Sequence, residues 1–268
     1  MVALARILFF ALGSATAALA APPAGLASAL EHLRDQKSYS WEVINGDPGL
    51  VAQQFETKRG TVTSLQQNVS PNIKGQVDRN GDMLIQRAWA DGLRLDTVIA
   101  ADGAMITLTP EGWLTDREIL TAQAEERLRG QAPTARYLWL RRADRPDIRR
   151  PDQELVPFLK SAGEFEFTGD SYIARIRSRA GDPGKPNDSD NEPASSVTVT
   201  MNLRGGVIRD YEVKVETTRR ATRARIAVPV SDQRIVILTY VPVSRIAVPD
   251  EAKEKLKAAR NPGAGRTP

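Results

Sequence analysis

Few side chains in this sequence are equipped for covalent chemistry, and their spacing assembles none of the familiar sites. His32 is the only histidine, and there is no cysteine. Any Ser-His-Asp arrangement must therefore use His32, a cysteine nucleophile is impossible, and a zinc site with two or more His or Cys ligands cannot form. A histidine titrates usefully only with specific neighbours, and His32, beside Leu33, reads as a surface or boundary residue. No phosphate loop, G-x-S-x-G elbow or dinucleotide fingerprint occurs. Asp78-x-Asn80 opens like a calcium loop, but the required glycine comes too early, as Gly81, so the stretch reads as a turn. The spaced acids Asp188, Asp190 and Glu192 lack a correctly placed glycine hinge and read as a solvated tip. Glu164 and Glu166 leave a carboxylate-only hydrolase open, because such sites carry no spacing signature. The leading expectation is a protein that is not an enzyme, with no cofactor and no metal.

Binding chemistry is better represented. Arg136, Arg141, Arg142, Arg145, Arg149 and Arg150 crowd one segment, and Arg219, Arg220, Arg223 and Arg225 crowd another, in a chain of net charge +4. Such runs are either solvated faces or anion-facing patches. Trp41, Trp89, Trp113 and Trp139 all fall in or next to apolar segments. Each is an ordinary core residue taken singly; together they can line a concave apolar site for a hydrophobic ligand.

The elements that must position these residues are mostly strands. Residues 83–119 form the clearest stretch: apolar runs separated by Asp91-Gly92, Asp102-Gly103 and Glu111-Gly112 predict a meander of hairpins, since glycine supplies the positive φ of tight turns. Thr115-x-x-Glu118 has the spacing of a capping box and predicts a helix with Ile119, Leu120, Ala124 and Leu128 on its apolar face. A leucine-edged helix is expected over 25–37 and an alternating strand over 38–44. Weaker strands fit 51–57 and 61–65, and 137–140 can be helix or strand. Pro151 at a helix entry predicts a short helix that Pro157 breaks. Further strands follow from 164, with 197–203 and 207–215 as the cleanest hairpin and more over 225–230, 234–240 and 243–248. A charged helix over 250–257 precedes a tail. The pattern predicts an α+β fold: a large curved antiparallel sheet, an unclosed barrel, with helices packed on its concave side.

At the N-terminus, Arg6, the apolar run from Ile7 and the small residues Ala18-Leu19-Ala20 read as a signal peptide over 1–20. The expected organisation is then a single domain over 21–258, a mobile loop over 179–194, and a disordered tail over 259–268. The expected location is periplasmic or secreted. Export makes nucleic acid an unsuitable partner, and no later window is apolar enough to span a membrane.

The order of features resembles a family. The leucine-edged first helix running into Ser38-Tyr39-Ser40-Trp41, the stretch from Asp102-Gly103 through Gly112-Trp113 to Glu118-Ile119, and the ending Val248-Pro249-Asp250-Glu251-Ala252-Lys253 look like the LolA/LppX group of periplasmic lipoprotein and lipid carriers. The resemblance implies an unclosed antiparallel barrel with a helical lid over a cavity for acyl chains. The residues expected to line it are Trp41, Ile85, Trp89, Leu93, Leu95, Trp113, Val197, Val199, Met201 and Val213. Arg136, Arg141 and Arg142 are expected at an anion-facing rim. The long loop and the arginine-rich segment depart from a compact carrier, so an envelope interaction or sensing module with a self-filled core and a protein partner is the alternative.

Overall fold

The computed structural model describes residues 21–45, 50–57, 60–67, 70–128, 134–144, 149–177, 195–220 and 227–260. The expected signal peptide, the loop over 179–194 with its spaced acids, Arg145, Arg223, Arg225 and the tail beyond Arg260 lie outside these residues. In chain order the elements are α1 (Ala24–Asp35), β1 (Tyr39–Asn45), β2 (Leu50–Thr57), β3 (Gly60–Gln67), β4 (Asn72–Val77), β5 (Met83–Ala88), β6 (Arg94–Ile99), β7 (Met105–Thr109) and β8 (Gly112–Thr115). They continue with α2 (Asp116–Leu128), α3 (Ala135–Ala143), α4 (Pro151–Ser161), β9 (Glu164–Thr168), β10 (Ser171–Arg177), β11 (Ser195–Arg204), β12 (Val207–Arg220), β13 (Ala227–Thr239) and α5 (Asp250–Arg260).

The fold is α+β. An 11-stranded antiparallel sheet runs in the order β8-β7-β6-β5-β4-β1-β13-β12-β11-β10-β9 and does not close into a barrel, while β2 and β3 pair as a separate hairpin. The turns follow the chemistry of their sequences: Gly92 and Gly103, each at φ +86°, close the β5–β6 and β6–β7 connections. The capping box forms reciprocally, Thr115 N donating to Glu118 Oε2 at 2.8 Å and Glu118 N to Thr115 Oγ1 at 3.3 Å. The 137–140 segment resolves as helix, because Thr134 Oγ1 caps it by accepting from Tyr137 N at 3.0 Å. Three expectations change. The helix α4 continues through Pro157, whose missing donor frees only a carbonyl one turn back at exposed Gln153. The strands expected over 225–230 and 234–240 run together, within the described residues, as one strand, β13. Residues 243–248 form no strand; Ser38 Oγ accepts from Val243 N at 2.7 Å and Asp78 Oδ2 accepts from Ile246 N at 3.1 Å, so side chains take the place of a ladder partner.

The chain divides into two compact units. The first holds α1, β2, β3, α4 and β9 to β12, with parts of β1 and β13. Its sheet pairs Val197 with Val215, Val199 with Val213 and Met201 with Tyr211, so one face is apolar, while Lys214, Glu212 and Thr198 occupy the other. Leu26, Ala29 and Leu33 of α1 and Leu155 and Leu159 of α4 are buried in the helices that pack on this unit's strands. Each fully buried leucine contributes about 1.5–3 kcal/mol. Asp232, opposite Val215, intrudes at the inner parity, and burial raises its carboxyl pKa above the ordinary 3.8.

The second unit holds β4 to β8, α2, α3 and α5 with the Tyr39–Glu42 part of β1. Helices cover one of its faces and part of the other. Ile85, Thr97 and Thr107 are cross-strand neighbours on one face, and Leu84, Val98 and Ile106 on the other. Val98, Ile106 and Trp113 pack with Ala252 and Leu256 of α5, so α5 lies on the face opposite Thr97, an addition to the expected one-sided helical cover. At the other side of β4, a Cβ placed on Gly75 would stand 2.1 Å from Cε2 and 2.2 Å from Cζ2 of Trp41. The indole lies directly on the glycine backbone.

Two outcomes follow from these contacts. Gly75→Ala should destabilise by about 1–3 kcal/mol in urea unfolding through overpacking, and Trp41→Leu in the same chain should return part of that loss. Because the Asp232 pKa is raised, protonation favours the fold: its contribution is complete below 3.8 and lost as pH rises through the raised value. Asp232→Asn should therefore stabilise at pH 7 by under about 1 kcal/mol, allowing for solvent at a half-buried group, with the difference vanishing by pH 3 in thermal unfolding.

Candidate functional site

Strand alternation places Ile85 and Arg87 of β5 on one face of the second unit, with Trp89 following at the same parity. Ile85 faces Gly75 on β4 and Thr97 on β6, and Arg87 faces Leu95. Trp41, Ile85, Trp89 and Leu95 are thereby brought to one buried face with exposures of 4%, 0%, 8% and 0%. Leu93 sits at the hairpin end, where Trp89 N donates to its carbonyl at 2.9 Å, and is half-buried. Trp113 is not with them; it lies on the opposite face under α5. Val197, Val199, Met201 and Val213 are buried together in the first unit.

The residue that sequence reasoning passed over is Arg87. Only 4% of it is exposed. Its Nη1 donates to the carbonyl of Arg142 at 2.7 Å and its Nη2 to Thr97 Oγ1 at 3.1 Å, and the Thr97 hydroxyl is 3.0 Å from that of Thr107. Its Nε is buried with no partner among the described residues. The guanidinium carbon stands 5.5 Å from the Trp89 ring centroid. No carboxylate among the described residues reaches this group, and burial pushes its pKa down to about 10. It remains charged at neutral pH, so the desolvation cost is borne in full and is offset only by neutral acceptors, the π face and the negative end of α3. The signal was present in the sequence as an arginine at the inward parity of an alternating strand, between Ile85 and Trp89.

Helix α3 is held over this face by side chains that satisfy its last turn. Gln123 of α2 donates to the Leu140 carbonyl at 2.9 Å, and Arg87 takes the Arg142 carbonyl. The expected rim arginines are mostly engaged. Arg136 grips Glu111 through Nη2 at 2.8 Å and Glu126 at 3.1 Å, which raises its own pKa and holds the Glu111 carboxyl below its usual range. Arg142 pairs with Asp91 at 2.5 Å and also approaches the Trp89 ring, at 5.4 Å; its hydrogen bond lowers the Asp91 pKa. Arg141 stands over the Tyr137 ring at 5.8 Å.

The remaining chemical candidates stay apart. His32 is exposed on α1, and Glu166 on β9 is bound by Arg175. The Asp78 carboxylate accepts from Asn80 N at 2.8 Å and Asp82 N at 3.3 Å, which is turn chemistry. Among the described residues no three His, Cys, Asp or Glu side chains gather as a metal site, and no helix is long and apolar enough to cross a membrane. The face under α3 gathers, within one layer, a cation without a carboxylate partner among the described residues, two hydroxyls, an indole and aliphatic surface. No known family model matches this chain, and no characterised protein matches it in sequence.

Arg87→Met keeps the side-chain length and removes the buried charge. About two hydrogen bonds are lost, at roughly 1–3 kcal/mol each for a charged donor, against a desolvation cost of similar size. Chemical denaturation should accordingly find the variant within about 2 kcal/mol of the wild type. A loss beyond about 4 kcal/mol would make the guanidinium a structural anchor alone.

Proposed function

We propose that the protein is a non-enzymatic binding protein of the bacterial envelope that shelters a hydrophobic ligand bearing an anionic group, of the kind that lipid or lipoprotein acyl chains carry. The single observation behind this reading is Arg87: a guanidinium 4% exposed, with no carboxylate and one nitrogen without a partner among the described residues, set in a layer of Trp41, Ile85, Trp89 and Leu95. A buried cation is costly unless something neutralises it. An anionic headgroup would do so, while its chain packed on the adjoining apolar face at about 0.8 kcal/mol per methylene before ordering costs. The likeness to the LolA/LppX carriers supports the same reading, as does the run of small and apolar residues before Ala21. The headgroup contact moves inward from the expected rim, since Arg136 and Arg142 already hold acids.

One observation favours the alternative of an interaction module. Ile85, Leu95, Val199 and Met201 have 0% exposure, as expected of faces filled by their own side chains and helices. Opening α3 is what the binding reading requires.

Native mass spectrometry of protein purified from bacterial periplasm, followed by denaturing extraction, decides between them. Near-stoichiometric anionic lipid in the wild type, lost in a folded Arg87→Met variant, is the expected result. An apo mass that also refuses added phosphatidylglycerol would assign the interior to self-packing.

A further inference from the structure

The second helix faces the wrong way for its leucines. Ile119, Ala122, Gln123 and Glu126 are its buried residues, whereas the apolar face expected from the sequence includes Leu120, Ala124 and Leu128. Leu120 is 44% and Leu128 87% exposed. The reason is polar: Gln123 is spent on the Leu140 carbonyl, and Glu126 accepts from Thr134 Oγ1 at 2.9 Å and from Arg136 at 3.1 Å. These bonds fix the inward face and turn the leucines out.

At about 100° per residue, Arg117, Leu120, Ala124, Arg127 and Leu128 share an arc of roughly 100°, opposite the buried set. All five are exposed. The acids of the helix, Asp116, Glu118, Glu125 and Glu126, fall outside that arc, and neither arginine has a carboxylate partner among the described residues. The neighbouring helix α3 also exposes Leu138, by 51%.

We infer that this ridge of α2 docks on an anionic lipid bilayer surface, leucines entering the headgroup boundary and Arg117 and Arg127 meeting lipid phosphates. A basic ridge without acids complements an anionic surface and repels a second copy of itself. Three part-exposed leucines also offer on the order of 300 Å², well short of the about 800 Å² per partner usual in a stable protein interface. A bilayer needs no such area, because each exposed side chain and each arginine adds its contribution independently. The inference concerns the outside of α2 and does not rest on the interior holding a ligand.

Co-sedimentation of the purified protein with phosphatidylcholine vesicles, with and without phosphatidylglycerol at about one lipid in three, tests it. Binding should be at least roughly tenfold tighter to the anionic vesicles and should weaken with added salt. Leu120→Asp with Leu128→Asp, and separately Arg117→Glu with Arg127→Glu, should each reduce it roughly tenfold or more while circular dichroism is unchanged. No binding to either vesicle, or binding that both double variants leave intact, would overturn the assignment. So would a concentration-dependent dimer in sedimentation velocity that the leucine variant abolishes, since the ridge would then serve self-association.

Discussion

A guanidinium held in apolar surroundings, without a carboxylate among the described residues, constrains everything around it in the second unit. Arg87 cannot leave its strand, because the alternation that places Ile85 inward places it inward too. Its donors must then be met from above and beside. The Arg142 carbonyl comes from the last turn of α3 and the Thr97 hydroxyl from β6, so one side chain ties a helix end and a strand to β5. A lysine would not do the same work: its ammonium carries no planar fork and is more strongly hydrated, so burying it costs more and joins fewer partners. The negative end of α3 and the indole of Trp89 supply diffuse negative potential where a carboxylate would supply a full charge. That leaves the guanidinium charged and desolvated.

The two units solve the problem of a sheet with two faces differently. In the first, apolar residues crowd one parity and Lys214, Glu212 and their neighbours the other, so water covers what helices do not. In the second, one parity is largely buried and the other is buried where α5 covers it, with Gln86, Ala88 and Leu108 exposed beyond. Ile106 and Trp113 turn to α5, and Thr97 and Thr107 turn to the face that holds Arg87. Threonines rather than valines are informative there. A β-branched residue suits the strand in either case, but only the hydroxyls can accept from a guanidinium and pass the polarity along the row. Gly75 serves the same layer by absence, since any side chain would displace the Trp41 ring.

Much of this architecture was legible beforehand where local chemistry decides it. Asp-Gly pairs at 91–92 and 102–103, the Thr115 and Glu118 box and the alternation of β11 and β12 each act within a few residues, and the structure follows them. Grouping residues into a site was legible only in part. Trp113 has the composition of a cavity residue, but its face depends on the register of β8 against β7, where it stands opposite Leu108; periodicity within one strand cannot say which face a distant strand shares. Arg136 and Arg142 looked like free cations because Glu111 and Asp91 lie 25 and 51 residues away, a pairing that only the folded topology brings about.

The α2 helix carries this lesson furthest. Amphipathic spacing identifies a helix that meets two environments, and the usual inference assigns the leucine side to the core. That inference assumes the core offers only apolar partners. Here it also offers polar partners: the Leu140 carbonyl, which accepts from Asp144 N as well, the Thr134 hydroxyl and the Arg136 guanidinium. Gln123 and Glu126 bond to them beside buried Ile119 and Ala122, so the inward face is part polar and Leu120 and Leu128 stay in water. An outward leucine ridge is thus a consequence of polar satisfaction within, and its two arginines decide which surface gains by covering it.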